Sequence, residues 1–442
     1  MPDTIYALAS PAGGAIAVIR ASGPDCARTL SALCGKNLCG APREMTHITL
    51  YGDETVIDDS MAVYYAAPRS YTGEDMFELY THGGPAVVRE ALSAIAALGL
   101  RAAEPGEFTR RAFLNGKVDL AQAEAVMDLI QASAQRSARA ALEQMQGRLS
   151  REIAAVEEEL TDALSGVSAA IDYPEELEED VFSGLPKTLA AAIADIESLI
   201  AQGRSGRVLR EGLRVVLLGR PNAGKSSLLN ALLGYERAIV TPHPGTTRDV
   251  LEEQLSLDGI PLRLFDTAGL RDTEDEAERI GVQRARTALE DADIATVLLD
   301  ESEPLSQEDF DILAATAHKP RILLYTKADL PGVWGRAALA ALVPPEEELI
   351  PVSARTGEGL SVLCDRIRAL AGPIEGAYVT NARHIAALED ARNAASQALT
   401  AEDADCVATD IRDALSALGR ITGRAVDDAV LDRIFERFCV GK

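Results

Sequence analysis

Residues Gly219 to Ser226 read GRPNAGKS, and this octapeptide constrains the fold more than any other stretch of the chain. A glycine, four residues and then Gly-Lys-Ser form a loop that cradles phosphates with backbone amides and a helix N-terminus. A strand must therefore precede it and a helix must follow. LRVVLL before it and SLLNALLG after it have the run length and the spacing for those two elements. In that context Lys225 reaches the outer phosphates and the Ser226 hydroxyl binds magnesium. A glycine turn matches the same letters by chance, but such a turn does not require the strand and helix found on either side.

From 212 to 372 apolar runs alternate with helical segments: EEQLSL, PLRLFD, IATVLLD, RILLYT and ELIPVS continue the series. The alternation predicts an α/β domain. Asp258-Gly259, between the second and third runs, predicts a hairpin, so one antiparallel edge strand joins an otherwise parallel sheet. Other pieces fall in the order that a nucleotide switch needs. PGTTRD places Thr246 and Thr247 on a loop from which one hydroxyl completes magnesium's shell when the terminal phosphate is present. Asp266, at the end of the third strand, suits an outer partner of magnesium, and Gly269 offers its amide to the terminal phosphate. TKAD, Thr326 to Asp329, resembles the Asn-Lys-x-Asp guanine motif. Asp329 accepts from the ring N1–H and the exocyclic amine, Lys327 covers the base, and adenine would leave the carboxylate unpaired. Thr326 stands where asparagine is usual. Ser353, Ala354 and Arg355 form the loop that closes over the base. Asn222, Ala223, Gly224, Ser227, Thr267 and Ala268 complete the expected GTP-binding set.

The strand end LFDTAGL, Leu264 to Leu270, departs from the usual switch pattern. After the glycine a glutamine commonly orients the attacking water, and Leu270 cannot. Two replacements are available from the residues. Asn222 either stabilises the loop turn or points an oxygen at a monovalent cation that neutralises growing charge. The acidic run Glu274, Asp275, Glu276 and Glu278 is either a solvated loop or a source of the carboxylate that orients water.

The flanks have a different texture. Residues 1–115 mix short apolar runs with glycine and proline turns, as an α+β module does. From Leu120 the chain reads as a helical bundle. Leu142, Met145, Leu149, Ile153, Val156, Leu160 and Leu164 form the stripe of one long amphipathic helix. The acidic stretch Asp172 to Asp180 reads as a solvated loop, and an alanine-rich helix starts at Leu185. Amphipathic helices return after Pro373. The expected segments are 1–115, 116–211, 212–372 and 373–442, with the α/β domain inserted into a discontinuous helical domain.

The chain has 442 residues, too many for one core. A net charge of −26 argues against a broad basic nucleic-acid footprint. No run is apolar enough for a membrane span and no leader pattern stands at the N-terminus, so a cytoplasmic protein is expected. Six cysteines lack zinc spacing and are expected to be free thiols.

Taken together, SPAGGAIAVIR, YTGEDMFELYTHGGP, PGEFTRRAFLNGKVDLAQAEA, GRPNAGKSSLLNALL, VTPHPGTTRDV, DTAGLRDTEDEAERIG and DRIFERFCVGK resemble the tRNA modification GTPases of the MnmE or TrmE family over essentially the whole chain. The resemblance implies an N-terminal α+β domain for tetrahydrofolate binding and dimerisation, a discontinuous helical domain and an inserted Ras-like P-loop GTPase domain. It implies potassium-stimulated GTP hydrolysis in a homodimer. It further implies a flavin-dependent partner of the MnmG or GidA kind, and formation of 5-carboxymethylaminomethyl or 5-aminomethyl groups on the wobble uridine of tRNA. The one-carbon donor would be a 5-formyl or 5,10-methylene tetrahydrofolate.

By motif, the resemblance assigns Asn222, Thr241, His243 and Thr246 to potassium and Ser226 and Thr247 to magnesium. Glu278 takes the catalytic water. Arg20, Glu78 and Lys117 match folate-lining positions, with Lys442 contributing. Cys439, two residues before Gly-Lys, is a catalytic candidate beside Lys225 and Glu278. It has no neighbouring histidine, and Leu431, Ile434, Phe435 and Phe438 give its helix a packing face, so a buried thiol is expected. The rival reading is a GTP-dependent ribosome or RNA assembly switch without modification activity. It would share the central motifs and differ in the flanks.

Overall fold

The structure is a computed structural model that describes residues 3–11, 13–53, 55–235, 252–266, 287–339, 342–345, 347–372 and 376–441. Two compact units divide the chain. One holds residues 1–127, 145–157 and 412–442, and the other holds 128–144 and 158–411.

In the first unit, β1 (Ile5–Leu8), β2 (Ile16–Ser22), β3 (Thr46–Gly52), β4 (Thr55–Tyr65), β5 (Met76–His82) and β6 (Arg101–Ala102) form one sheet. Its order is β3-β4-β5-β2-β1-β6, and every pair is antiparallel except β1 with β6. Helices α1 (Cys26–Cys34) and α2 (Pro85–Ala97) cover one face. Ile19, Ala21, Leu30, Phe77, Leu79 and Ile95 are buried there. Side chains alternate along a strand, so Arg20 and Glu78, opposite one another on β2 and β5, share the other face. That face is closed by Phe108 of α3 (Glu107–Leu114), which packs with Ile5, Ala7 and Met76.

Four helices follow: α4 (Leu120–Gln131), α5 (Gln135–Met145), α6 (Arg148–Asp172) and α7 (Pro174–Glu211). Two expectations are corrected here. The apolar stripe from Leu142 to Leu164 is not one helix, because Gly147 takes a φ of 78° and separates α5 from α6. The acidic stretch is not a loop either. Asp172 ends α6, and Pro174 opens the 38-residue α7. Proline lacks an amide that the first turn would leave unpaired, so it fits a helix start.

The second sheet comprises β7 (Leu213–Leu218), β8 (Glu252–Leu257), β9 (Ile260–Asp266), β10 (Ile294–Asp300), β11 (Arg321–Thr326) and β12 (Leu349–Val352). The order is β12-β11-β10-β7-β9-β8, parallel throughout except for the edge pair β8 and β9. The expected hairpin is present: Asp258 and Gly259 have φ values of 49° and 79°, as a two-residue turn between twisted strands requires. Helices α8 (Lys225–Tyr235), α9 (Gln307–Thr316) and α10 (Leu360–Ala371) accompany the sheet. All seven residues of β10 are buried, which explains its unbroken apolar sequence: a parallel central strand has cover on both faces.

Beyond the sheet lie α11 (Ala382–Thr400), α12 (Ala404–Thr422) and α13 (Asp428–Phe435). Helix α11 packs along α7 although about two hundred residues separate them in sequence. Gly203 and Gly206 make room: a Cβ at Gly203 would press on Ile385, and one at Gly206 would overlap the Val379 carbonyl.

Candidate functional site

Strand β7 stops at Leu218 and α8 starts at Lys225, so the glycine-rich loop joins the C-terminal end of a central strand to a helix N-terminus. Ligands of open α/β sheets bind at that edge. Asn222 holds a left-handed φ of 64° and is exposed; Ala223 after it is fully buried. The left-handed region suits asparagine better than most side chains. Lys225 is buried to 6 % exposure, and its ammonium donates to the carbonyls of Gly219 and, at 2.9 Å, Arg220. Ser226 and Ser227 are exposed in the first turn of α8. Arg220 is held by Glu303 at 3.1 Å and the Pro304 carbonyl at 3.3 Å from the β10–α9 connection, and by Asp309 of α9 at 3.9 Å.

The same sheet edge carries the second motif. Thr326 ends β11, and its buried hydroxyl donates to the Ala223 carbonyl at 2.8 Å. The residue that stands where asparagine is usual therefore fastens the base loop to the phosphate loop. Lys327 has a φ of 60° and reaches Asp300 at 2.6 Å. Burial pushes the Asp300 carboxyl up, but hydrogen bonds from Lys327 and Ser302 outweigh it and hold it below the usual carboxylate range. Asp329 accepts from the Ser353 hydroxyl at 2.6 Å through Oδ1 and from Arg355 Nε at 2.8 Å through Oδ2. Those two hydrogen bonds, Ser353 first, lower its carboxyl. Ala354 lies between the two donors in the loop after β12.

Asp266 stands at the end of β9, its backbone in register with Leu217 of β7. Thr241, His243, Thr246, Thr247, Thr267, Ala268, Gly269, Leu270 and Glu278 lie outside the described residues, as does Lys442.

In the first unit Arg20 and Glu78 form a cross-strand ion pair, with Nη2 to Oε1 at 2.7 Å and side-chain exposures of 16 % and 10 %. Tyr80 and Tyr65 donate to Glu78 Oε2 at 2.7 and 3.2 Å. The Arg20 guanidinium sits over the rings of Tyr71 and Phe108, 5.4 and 5.8 Å from their centroids. Burial pushes the Glu78 carboxyl up, yet the Arg20 charge and the hydrogen bonds from Tyr80, Arg20 and Tyr65 keep it below the ordinary glutamate range. Arg20 also reaches the Gly441 carbonyl at 3.4 Å, which brings the C-terminal segment to this pair. Lys117 gives its ammonium to the Pro68 carbonyl at 3.0 Å. The aromatic residues were missed in sequence; Tyr80, two residues from Glu78 on one strand, was the available signal.

All six cysteines are free, as expected. Cys439 is exposed, which corrects the buried-thiol expectation. Helix α13 ends at Phe435 and the chain turns away to bridge Val440 to Pro105, so residue 439 leaves the face that buries Leu431, Phe435 and Phe438.

A phosphate loop and a Thr-Lys-x-Asp loop, fastened to each other at the C-terminal edge of a mostly parallel sheet, define a P-loop guanine-nucleotide-binding protein. A family model described as the MnmE helical domain matches residues 120–439, and one described as the GTP-binding protein TrmE N-terminus matches residues 4–117. Two curated relatives, both named tRNA modification GTPase MnmE, are similar over 100% of this chain. The protein of Heliobacterium modesticaldum is 44% identical with 99% of its length covered, and that of Chloroflexus aurantiacus is 45% identical with 100% covered. The chain belongs to the MnmE (TrmE) family of tRNA modification GTPases.

Proposed function

We propose that this GTPase hydrolyses GTP with potassium stimulation and couples that step to building a 5-aminomethyl or 5-carboxymethylaminomethyl group on the wobble uridine of tRNA. The observation that carries the nucleotide half is the Thr326–Ala223 hydrogen bond, which sets the base loop and the phosphate loop in fixed register. Asp329, ionised and oriented by Ser353, reads the two donors of guanine. Lys225, buried at the loop, meets the phosphates.

The exposed hydroxyl of Ser226 at a helix N-terminus suits magnesium, with Thr247 as the second ligand. Asn222, exposed on the loop, suits potassium together with Thr241, His243 and Thr246. The two cations would neutralise charge growing on the transferred phosphoryl group. Glu278 orients the water in place of Leu270. Thr267, Ala268 and Gly269, after Asp266, would contribute to binding the terminal phosphate.

The Arg20–Glu78 pair supports the folate half. An ionised carboxylate beside aromatic rings matches the amino-amide edge and flat face of a pterin. Lys117 and Lys442 extend the site, and a tetrahydrofolate bound there would supply the one-carbon unit. A flavin-dependent partner of the MnmG kind would supply redox chemistry and RNA contacts that a chain of net charge −26 lacks. The protein acts as a cytoplasmic homodimer, with domains 1–115, 116–211, 212–372 and 373–442. Cys439, exposed near this segment, is available as a thiol.

The decisive measurement is GTP turnover in matched potassium and sodium buffers for the wild type and Glu278→Ala. Faster turnover in potassium and a strong loss in the variant are expected. Equal rates in the two salts, or an unaffected variant, remove this mechanism.

A further inference from the structure

The two oxygens of Asp329 are held in different ways. Among the described residues, Oδ1 accepts one side-chain hydrogen bond, from Ser353. Ser353 is fully buried, and its loop is fixed by hydrogen bonds from Ser353 N to the Glu358 carbonyl at 3.0 Å and from Gly357 N to the Ser353 carbonyl at 2.9 Å. Oδ2 accepts from Arg355 Nε at 2.8 Å and lies 2.7 Å from Arg355 Nη2. The Arg355 side chain is 73 % exposed. One arm is rigid and the other is free to swing into water.

A carboxylate oxygen offers about two acceptor positions. Ser353 is the one side-chain donor on Oδ1 among the described residues, and the two N–H groups of Arg355 fill Oδ2. Guanine presents two adjacent donors, N1–H and the exocyclic amine, and needs both oxygens. We infer that Arg355 is a competitive latch, a guanidinium that competes with the second donor of the base for Asp329 Oδ2 and is displaced by guanine. The inference rests on the reading of Asp329 as the guanine-reading carboxylate.

The geometry makes the latch act unequally on the two bases, at guanine's expense. Hypoxanthine lacks the exocyclic amine, and its single donor can pair with Oδ1 while Arg355 stays in place. Guanine has to remove Arg355 and gains a second hydrogen bond in exchange. An exposed ion pair is cheap to open, so the latch lowers guanine affinity by a factor of about 2 to 5. Salt screens that pair and weakens the latch.

The test is calorimetric titration of the full chain with GDP and with inosine diphosphate, for the wild type, Arg355→Ala and Arg355→Lys. Arg355→Ala is expected to bind GDP about 2- to 5-fold tighter, with a smaller change for inosine diphosphate. Arg355→Lys, with one point of contact, should fall between. The gain should shrink as salt is raised. An unchanged or weaker GDP affinity in Arg355→Ala overturns the latch, and so does an equal gain for both nucleotides. Asp329→Asn separates the two readings: it should move preference from guanosine to xanthosine diphosphate, whose 2-carbonyl accepts from an amide. If that preference does not move, the reading of Asp329 itself fails; if it moves while Arg355→Ala changes nothing, only the latch is lost.

Discussion

The Thr326 hydroxyl and the Ala223 carbonyl, 103 residues apart, share a buried hydrogen bond of 2.8 Å. It is the point at which the base loop and the phosphate loop meet. Thr326→Val keeps the shape and removes the donor, leaving the Ala223 carbonyl unpaired in the interior. The expected cost is about 1–3 kcal/mol, read as a lower midpoint in urea at unchanged slope, with faster GDP release. A variant with wild-type stability and release would show that the two loops are held together elsewhere.

Glu78→Gln tests the ion pair of the N-terminal unit. Arg20 would lose its counter-charge while only 16 % exposed, and breaking such a pair costs roughly 3 kcal/mol. Tetrahydrofolate binding, followed by fluorescence, should be lost with it. Because the Glu78 carboxyl is lowered in the folded chain, its contribution is present above the ordinary glutamate range and is lost as the pH falls through the folded value. Acid unfolding of the wild type should therefore show a component that Glu78→Gln lacks. A mutant with the same acid profile as the wild type would contradict the assignment.

Much of the nucleotide site was legible because its chemistry is local. Phosphate binding needs consecutive amides at a helix start, so GRPNAGKS, Lys225 and Ser226 declare themselves in eight residues. The hairpin at Asp258-Gly259 was legible for the same reason: its turn demands particular φ values. What escaped depends on partners distant in sequence. Thr326 looked like a defect in its motif until β11 and the phosphate loop were brought together. Tyr65, Tyr71 and Phe108 gather around Arg20 and Glu78 only through sheet register and α3. The acidic residues after Asp172 gave a charge pattern common to solvated loops and helix starts, and the loop reading rested on that charge alone, without the proline that opens α7.

His82 and Asp58 give a pH prediction with a definite sign. The hydrogen bond to Asp58, 2.7 Å from His82 Nδ1, raises the imidazole above its ordinary value. A raised folded value means that the histidine's contribution is complete below about 6.5, the unperturbed value, and fades as the pH rises through the folded one. Burial pushes the Asp58 carboxyl up, but hydrogen bonds from Ser60 and His82 hold it down, so its contribution fades in acid instead. The pair is strongest between the two transitions. Titration of His82 by NMR should give a midpoint above the ordinary range, and Asp58→Asn should return it there. An identical midpoint in both proteins would discount the pair.

Two glycines on α7 should respond to alanine in opposite directions. At Gly206 a Cβ would overlap the Val379 carbonyl, and the neighbouring backbone has no side chain to swing aside. Gly206→Ala must separate α7 from the segment that leads into α11, at a cost of about 1–3 kcal/mol or more. At Gly184, on the same helix, a Cβ meets nothing within 4 Å. Alanine there removes unfolded-chain freedom and favours the helix, so Gly184→Ala should stabilise by about 0.5–1 kcal/mol. Both effects are read as shifts in urea midpoint. Equal shifts would mean that helix propensity alone governs α7; opposite signs are expected because packing against residue 379 dominates at Gly206 and is absent at Gly184.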